Sequence, residues 1–176
     1  MKFQTTRIAG VVEVRLEPHE DERGFFARAW CTDEFSGAGF DVEWVQMNIG
    51  RSDSAGTLRG MHYQREPWGE WKLVRCVHGS LYDVAVDLRE DSATRHQWFG
   101  VELTAKEGNL LLIPPGCAHG YLTLTDRTDL LYQTSHRYAP EGATGVRYDD
   151  PAFGIEWPTR ILQISDQDQS WPLVQT

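Results

Sequence analysis

The sequence predicts an all-β protein, an antiparallel jelly-roll barrel with a few short helices, in which residues 1–176 form a single domain. Three observations support this fold class. Short segments alternate between apolar and polar residues, as residues 82–88 do, and this period is typical of half-buried strands. Turn-forming residues such as Gly, Pro and Asp separate the segments at short intervals. No repeat or charge block interrupts the 176 residues, a length that can bury a substantial core.

Nine strand segments follow one another along the chain. Residues 12–16 alternate as Val-Glu-Val-Arg-Leu, and the later segments are rich in β-branched, aromatic and aliphatic residues. These later segments are residues 44–49, 57–64, 71–77, 82–88, 97–104, 110–113, 121–125 and 128–135. One short helix is predicted from Thr32, which is expected to be its N-cap because Asp33 and Glu34 follow in the first turn.

Charge and composition exclude several classes of function. The chain has 17 Lys and Arg against 26 Asp and Glu, a net charge of −9, whereas a protein that binds nucleic acid needs a broad basic face. The longest aliphatic run, residues 110–113, is far shorter than the ~20 residues that span a bilayer, and no apolar signal segment follows Met1. Three well-separated cysteines fit reduced thiols. We therefore expect a cytoplasmic protein without nucleic-acid or membrane partners.

The spacing of residues 108–119 resembles the second motif of the cupin jelly rolls. Gly108 is followed at the motif's intervals by Pro114, Gly116 and His119. A strand that ends in a tight Pro-Gly turn can direct the histidine that follows into the barrel. His119 is therefore a candidate residue of an interior site.

The first cupin motif begins in a similar way, with His62 six residues after Gly56, but its remaining ligands are missing. Gln64 stands in place of the second histidine, and Glu70 lies later than the glutamate of the motif. A divalent transition metal prefers several imidazoles and a carboxylate at fixed geometry. We therefore expect no metal and no organic cofactor. The alternative is a metal-dependent cupin oxygenase or isomerase that uses His62, Gln64, Glu70 and His119.

Polar and charged residues crowd the predicted strand at residues 57–64 and the start of the next one. Arg59, His62 and Gln64 lie on the first, and Lys72 opens the second. Burying these groups without a function would be costly. Arg59 and His62 would point to opposite faces of a regular strand, but Gly60 between them permits a bulge that directs both inward. The cluster predicts a functional site inside the barrel rather than isolated, hydrogen-bonded histidines.

Nine stretches carry a resemblance to a known family. They include Thr-Leu-Arg-Gly-Met-His-Tyr-Gln at residues 57–64, and the others are residues 21–26, 72–76, 82–88, 113–120, 131–132, 138–140, 150–158 and 164–168. In this order, over nearly the whole chain, they resemble the dTDP-4-dehydrorhamnose 3,5-epimerase family of sugar-nucleotide enzymes. The resemblance implies a metal-free cupin jelly roll, usually a homodimer, that epimerises a nucleotide-linked 4-keto-6-deoxyhexose at C3, C5 or both.

The resemblance also assigns four catalytic residues. Epimerisation beside a ketone removes a C–H proton and returns one to the opposite face; His62 matches the family's base, and Asp168 matches its partner carboxylate. Lys72 suits the stabilisation of the enolate oxygen. Tyr132 matches the acid that delivers the new proton. Asp83, on an inward-alternating strand, is expected to pair with Lys72, with a neighbouring histidine, or with other groups at the core edge.

Substrate-binding positions carry over as well. They are Arg23 and Arg59 for the diphosphate, Gln46, Asn48 and His119 for further contacts, and Tyr138 for an aromatic surface near the nucleotide. Three positions depart from the family. Arg28 and Ala143 stand where a glutamate is usual, and Gln167 stands where a lysine is usual. The position of Arg28 is one that the resemblance assigns to recognition of the base. Nucleotides of thymine, guanine and cytosine therefore all remain candidates.

A catalytically idle cupin, which binds a nucleotide sugar or scaffolds an assembly, is the third interpretation. Tyr132 and Asp168 argue against it, because a binding module needs neither an acid nor a base. Two tryptophans beside prolines, Trp157 and Trp171, are expected to anchor the C-terminal segment in the core.

Overall fold

Two β-sheets face one another in the computed structural model of the protein, which describes residues 1–174. In chain order the elements are β1 (Lys2–Thr5), β2 (Val12–Arg15), β3 (His19–Asp21), β4 (Gly24–Phe26), α1 (Thr32–Gly37), β5 (Gln46–Ser52), β6 (Thr57–Gln64), β7 (Lys72–His78), β8 (Ser80–Asp87), β9 (Trp98–Thr104), β10 (Leu110–Ile113), β11 (Cys117–Thr123), β12 (Thr128–Thr134), β13 (Ala143–Gly145), β14 (Gln163–Ile164) and α2 (Asp166–Ser170).

The first sheet has the strand order β1-β2-β10-β7-β12-β5, and the second has the order β13-β6-β11-β8-β9. The pairs within both orders are antiparallel. β14 adds to β6 in parallel, and β3 and β4 form a separate hairpin. Sheet neighbours such as β2 and β10 are far apart in sequence, as in a jelly roll. The predicted all-β, antiparallel fold class is confirmed.

The nine predicted strand segments are all strands in the structure. β6 and β10 have the predicted bounds, and most of the others differ by one to three residues at an end. β11 begins at Cys117, four residues before its predicted start, because Cys117 already pairs with Asp87 of β8 directly after the Pro-Gly turn. The strands that the sequence did not predict, such as β3 and β14, are two to four residues long, too short to show a period of two.

Both helices are short. α1 begins at Thr32, but its N-cap is Cys31 and no side chain caps it, so the expectation that Thr32 is the N-cap was wrong. α2 was not predicted; the side chain of Ser165 caps it by accepting a hydrogen bond from the Asp168 amide at 3.1 Å. In residues 1–174 no helix has the length and apolar character needed to cross a membrane.

Apolar side chains from both sheets fill much of the space between them. Val74 and Leu111 of the first sheet pack with Leu81 and Ala85 of the second, and all four are fully buried. On the other face of the first sheet, Phe35 of α1 packs in a second cluster with residues of β7 and β10. Because β10 is therefore covered on both faces, its four residues are all buried, and the segment is a continuous apolar run without alternation.

The three cysteines are free thiols. Cys76 and Cys117 are buried, and Cys31 is partly exposed. Burial raises the pKa of Cys76 to about 11 and that of Cys117 to about 12, so neither forms much thiolate at neutral pH. The predicted reduced thiols are confirmed by this arrangement.

We predict that at most one thiol per chain reacts with a thiol reagent in the native protein at mildly alkaline pH. Cys31 is the accessible one, whereas Cys76 and Cys117 are shielded and protonated. With a thiol reagent that releases a chromophore, the absorbance gives the number of thiols that have reacted per chain. In denaturant all three cysteines should react, and rapid labelling of two or more thiols in the folded protein would contradict the prediction.

Candidate active site

A cavity of about 380 Å³ opens between the two sheets. Residues of β5, β7 and β12 line it from the first sheet, and residues of β6 and β13 line it from the second; the loop before β7, the segment before β13 and α2 with Trp171 complete the wall. The lining residues are Gln46, Asn48, His62, Tyr63, Gln64, Glu70, Lys72, Tyr132, Thr134, Tyr138, Pro140, Ala143, Thr144, Gln167 and Trp171. Their polar groups converge from both sides on one space, which is the arrangement of a small-molecule site.

An irregularity in β6 turns Arg59 and His62 to the same face of the strand. Both side chains are exposed, whereas Leu58 and Met61 are buried. The pairing register between β6 and β11 shifts at this point, and Gly60 adopts a φ of +148°, which only glycine accommodates well. The predicted irregularity at Gly60 is therefore confirmed. The expectation that it directs both side chains into one site was only half right, because His62 lines the cavity and Arg59 does not.

His62, in the wall of the cavity, forms a dyad with Asp168, which lines an adjacent cavity. His62 Nε2 lies 2.6 Å from Asp168 Oδ1, and the Gly60 amide donates to Asp168 Oδ2 at 3.3 Å. Burial alone would raise the pKa of the Asp168 carboxyl, but the hydrogen bond and charge of His62, with the other donors, hold it below its usual value. A charged Asp168 can fix the orientation of the His62 ring and stabilise its protonated form.

Trp171 is a further residue of this wall, so the expectation that it anchors the core was wrong. Its indole N–H donates to Asp168 Oδ1 at 3.3 Å, and its ring meets the His62 ring edge-on with 6.1 Å between the centroids. The indole lies over Gly145, where a Cβ would come within 2.5 Å of the ring. The position of Trp171 three residues after Asp168, one turn along a helix, is the signal that could have identified it.

Tyr132 and Lys72 lie on the opposite sheet from His62. Tyr132 is on β12 and Lys72 on the neighbouring β7. Burial raises the pKa of the Tyr132 phenol above its usual value, and the negative charge of Glu70 raises it further. The phenol is therefore protonated at neutral pH and able to donate. The Lys72 ammonium contacts Glu70 Oε1, and both side chains are almost fully buried.

Three predicted binding residues line the same cavity as His62. Gln46 and Asn48 are side by side on β5, with Gln46 Nε2 donating to Asn48 Oδ1 at 3.2 Å. Gln46 Oε1 accepts from the Tyr138 amide at 3.1 Å. Tyr138 is 65% exposed, so its ring is free to stack on a ligand at the mouth of the cavity.

The structure does not bring the other predicted binding residues into this cavity. Arg59 lines an adjacent cavity that shares His62, and its guanidinium donates to Ser52 Oγ at 3.3 Å. His119 is buried, with Nε2 only 2.7 Å from Asp83 Oδ1, so Asp83 pairs with a histidine and not with Lys72. Arg23 lies between β3 and β4 with its side chain 85% exposed and paired with Asp21, outside the cavity.

The residues proposed above for a metal site do not form an open set of ligands. Gln64 Nε2 donates to Glu70 Oε2 at 3.1 Å, and the other Glu70 oxygen contacts the Lys72 ammonium. Within residues 1–174 no group of three or more His, Cys, Asp or Glu side chains is placed to hold a metal ion. The amide of Gln64, a glutamate already bound to Lys72, and a histidine already paired with Asp83 therefore make a poor donor set for a transition metal.

Two of the three departures from the family pattern lie in the cavity wall. Ala143 and Gln167 line it, whereas Arg28 pairs with Glu34 of α1 at 2.8 Å and lies outside it. The short side chain of Ala143 and the neutral one of Gln167 remove a negative and a positive charge that the family pattern would place at these positions. The cavity therefore differs from that pattern in local charge.

Comparisons with known proteins extend over nearly the whole chain. The family described as dTDP-4-dehydrorhamnose 3,5-epimerase matches residues 5–176. The dTDP-4-dehydrorhamnose 3,5-epimerase of Sinorhizobium fredii is 40% identical over 173 residues, which cover 98% of this chain and 89% of that protein. The crystal structure of the Bacillus anthracis enzyme of the same name, with TDP and PPi bound, has a TM-score of 0.95 at 35% identity and covers 98% of this chain and 99% of that chain. The dTDP-6-deoxy-D-glucose-3,5-epimerase of Legionella pneumophila, in complex with dTDP-4-keto-L-rhamnose, has a TM-score of 0.92 at 34% identity, with 98% and 92% covered.

Replacing Asp168 by Asn should remove a pH-dependent part of the stability. The pKa of Asp168 is lower in the folded chain than its usual value, so its contribution is complete above the usual carboxyl range and is lost as the pH falls through the lowered folded value. Urea unfolding between about pH 7 and about pH 3 should give a difference in unfolding free energy, wild type minus Asp168→Asn, that is largest near neutrality and shrinks in acid.

The control variant is Asp166→Asn, which removes an exposed carboxylate from the first turn of the same helix. The difference in unfolding free energy between the wild type and Asp166→Asn should change little over the same pH range. An Asp168→Asn difference that stays constant with pH would contradict the assigned pairing with His62.

Proposed function

The chain belongs to the dTDP-4-dehydrorhamnose 3,5-epimerase family, and from this premise we propose that it inverts C3, C5 or both in a dTDP-linked 4-keto-6-deoxyhexose, with His62 as the base and Tyr132 as the acid. The protein is an isomerase of the sugar-nucleotide type. One observation carries the assignment of the two residues: they line a single cavity but come from opposite sheets. Inversion requires a proton to leave one face of the sugar and another to arrive at the opposite face, and this arrangement meets that requirement.

The proposed reaction begins when His62 takes the C–H proton beside the ketone. The electrons of the C–H bond move to the ketone oxygen, and the resulting enolate is stabilised by the Lys72 ammonium. Asp168 stabilises the imidazolium that His62 becomes. As the ketone re-forms, the electron pair of the enolate returns to the carbon and forms the new C–H bond with the phenolic proton of Tyr132 from the other side. Proton exchange with water then returns His62 and Tyr132 to their starting forms. Because burial keeps the pKa of Tyr132 above its usual value, the phenol enters the cycle in the protonated form.

The proposed substrate is a thymidine diphosphate sugar. Solved relatives hold TDP with PPi, and dTDP-4-keto-L-rhamnose, at 35% and 34% identity to this chain. We propose that Tyr138 stacks near the base at the mouth of the cavity, while Gln46 and Asn48 supply hydrogen bonds beside it. Arg59, at the adjacent cavity, suits the diphosphate because a guanidinium binds phosphate oxygens in pairs.

We also propose a homodimer in which a second copy completes the site. Phe25 and Phe26 of β4 are 58% and 76% exposed, and Met47 and Ile49 of β5, a sheet-edge strand, are 57% and 67% exposed. Exposed apolar residues on a sheet edge favour an interface. The hairpin that bears these phenylalanines also carries Arg23, which lies outside the cavity of its own chain.

Charge balance supports the same dimer. Among the described residues that line the cavity, Lys72 is the one lysine or arginine, and its amino group is paired with Glu70. A diphosphate needs positive charge from elsewhere, and Arg59 supplies only part of it. We propose that Arg23 of the second copy reaches the diphosphate.

We propose that the protein acts in the cytoplasm. Its three free thiols suit a reducing compartment. The other interpretations of the sequence lack support. The candidate metal ligands are already paired, Gln64 with Glu70 and each of the two histidines with an aspartate. The cavity also has the proposed acid facing the proposed base, which an idle binding protein does not need.

We predict that the wild-type protein exchanges the protons flanking the ketone of dTDP-4-keto-6-deoxyglucose with solvent deuterium. NMR or mass spectrometry of the product shows whether one carbon or both carry the label. His62→Asn should lower the rate at least about 10²-fold, because the general base is lost. Tyr132→Phe should retain exchange but lose inversion, because the base still acts while the acid does not.

The matched control is His78→Asn, which changes an exposed histidine on the other end of β7. Its exchange rate should equal that of the wild type. GDP- and CDP-linked sugars tested in parallel show which base the protein accepts. No label with any of the three nucleotides would refute the proposed function.

The dimer is tested by mixing two inactive variants. Arg23→Ala keeps an intact cavity but has a defective hairpin. His62→Asn keeps an intact hairpin but has a defective cavity. Exchange of subunits should restore activity to about one quarter of the wild-type level, because half of the dimers then contain one complete site. A monomeric mass by light scattering, or mixtures no more active than their components, would contradict the proposal.

A further inference from the structure

Glu70 is a buried carboxylate to which neither the proposed reaction nor the family resemblance gives a role. It lies in the loop between β6 and β7, and its side chain is only 8% exposed. Its Oε1 contacts the Lys72 ammonium, and its Oε2 accepts from Gln64 Nε2 at 3.1 Å. A carboxylate hidden from water is unfavourable unless donors satisfy both oxygens. Here each oxygen has its own donor.

The hydrogen bonds of Gln64 determine which of its ends faces Glu70. The Ala139 amide donates to Gln64 Oε1 at 2.7 Å, so the oxygen of the Gln64 side chain faces Ala139 and its nitrogen faces Glu70. Gln64 Nε2 also donates to the Trp68 carbonyl at 3.1 Å, which fixes the same orientation. An N–H donor is therefore directed at residue 70. With Lys72 as the second donor, residue 70 must offer two acceptors, which a carboxylate has and an amide of the same length lacks.

We infer that Glu70 is a positioning residue, which holds the Lys72 ammonium beside the reacting ketone and bridges it to the rigid Gln64. The inference rests on the proposed function, because Lys72 matters only if an enolate forms. Lysine side chains are long and flexible, and an ammonium attracts any nearby anion. Without the tether, the dianionic diphosphate of the substrate would draw Lys72 away from the ketone oxygen. Glu70 therefore preserves the placement that the enolate needs.

The position of Glu70 also affects the pKa of Tyr132, which can be measured independently of the reaction rate. The negative charge of Glu70 adds to burial in raising the pKa of the Tyr132 phenol. The other titratable or charged groups that face Tyr132 or share its cavity are Lys72 of β7, His62 and Tyr63 of β6, Tyr121 of β11, and Tyr138. Removing the charge at residue 70 should therefore lower the pKa of Tyr132, while loss of packing alone would not have this effect.

The test compares Glu70→Gln and Glu70→Asp with the wild type. In Glu70→Gln we expect kcat to fall roughly 10-fold with little change in KM, because the lost hydrogen bond to a charged group acts on the enolate rather than on substrate binding. The chain has six tyrosines, so tyrosine labelled with ¹³C at Cζ gives few signals, and the Tyr132 signal is the one missing from Tyr132→Phe. Its titration midpoint should move to lower pH in Glu70→Gln. In Glu70→Asp, which keeps the charge, the midpoint should stay near that of the wild type.

Glu66→Gln is the control, because Glu66 is an exposed carboxylate in the same loop. It should change neither kcat nor the Tyr132 titration. An unchanged kcat and an unchanged Tyr132 midpoint in Glu70→Gln would overturn the inference, as would a change confined to KM. If the wild type shows no deuterium exchange, the proposed function fails instead. If Glu70→Gln does not fold, Glu70→Asp provides the test, because its side chain is too short to hold Lys72 in the same place. A wild-type kcat in Glu70→Asp would then refute the positioning role of Glu70.

Discussion

Ionisable side chains between the two sheets must be paired, and this constraint determines much of the site. A charge removed from water is unfavourable by several kcal/mol unless a partner and further hydrogen bonds compensate it. Three such pairs lie in or beside the cavity: His62 with Asp168, Lys72 with Glu70, and His119 with Asp83. The two histidine pairs join different elements, and the Lys72 pair joins a strand to the loop before it, so each partner restrains the side chain that it contacts. Pairing therefore supplies preorganisation as well as charge compensation.

The division of the proposed chemistry between two sheets explains why the jelly roll suits an inversion. His62 stands on one sheet and Tyr132 on the other, with the cavity between them. A sugar ring that enters this gap presents one face to each sheet. Neither group needs to move for the acid and base to address opposite faces. The scaffold thus sets the stereochemical relation that the proposed inversion needs.

Much of the fold could be predicted from sequence because half-buried strands show alternating apolar and polar residues. The Pro-Gly turn before His119 is a short local motif that marks where one strand ends and the next begins. The residues that escaped prediction depend on tertiary contacts. Trp171 enters the cavity because α2 folds back against β6, and no pattern in a five-residue helix shows this. The spacing of Glu70 suggests only a metal ligand, because its pairing with Lys72 depends on how the loop before β7 folds. Arg23 lies outside the cavity because it is on the exposed hairpin of β3 and β4, and the direction of that hairpin is not visible in the sequence.

The bulge in β6 has a consequence for transplanting this site to another scaffold. A side chain at Gly60 would come within 2.6 Å of Gly120 Cα, and a side chain at Gly120 would come within 2.9 Å of the Arg59 carbonyl. The two glycines therefore form a single unit across β6 and β11, and replacing either one displaces the other strand. A designer who grafts His62 alone would lose its orientation, because the imidazole is aimed by a paired glycine contact on two strands rather than by one loop. The smallest portable unit is thus this strand pair together with Asp168 of α2, which pairs with the imidazole.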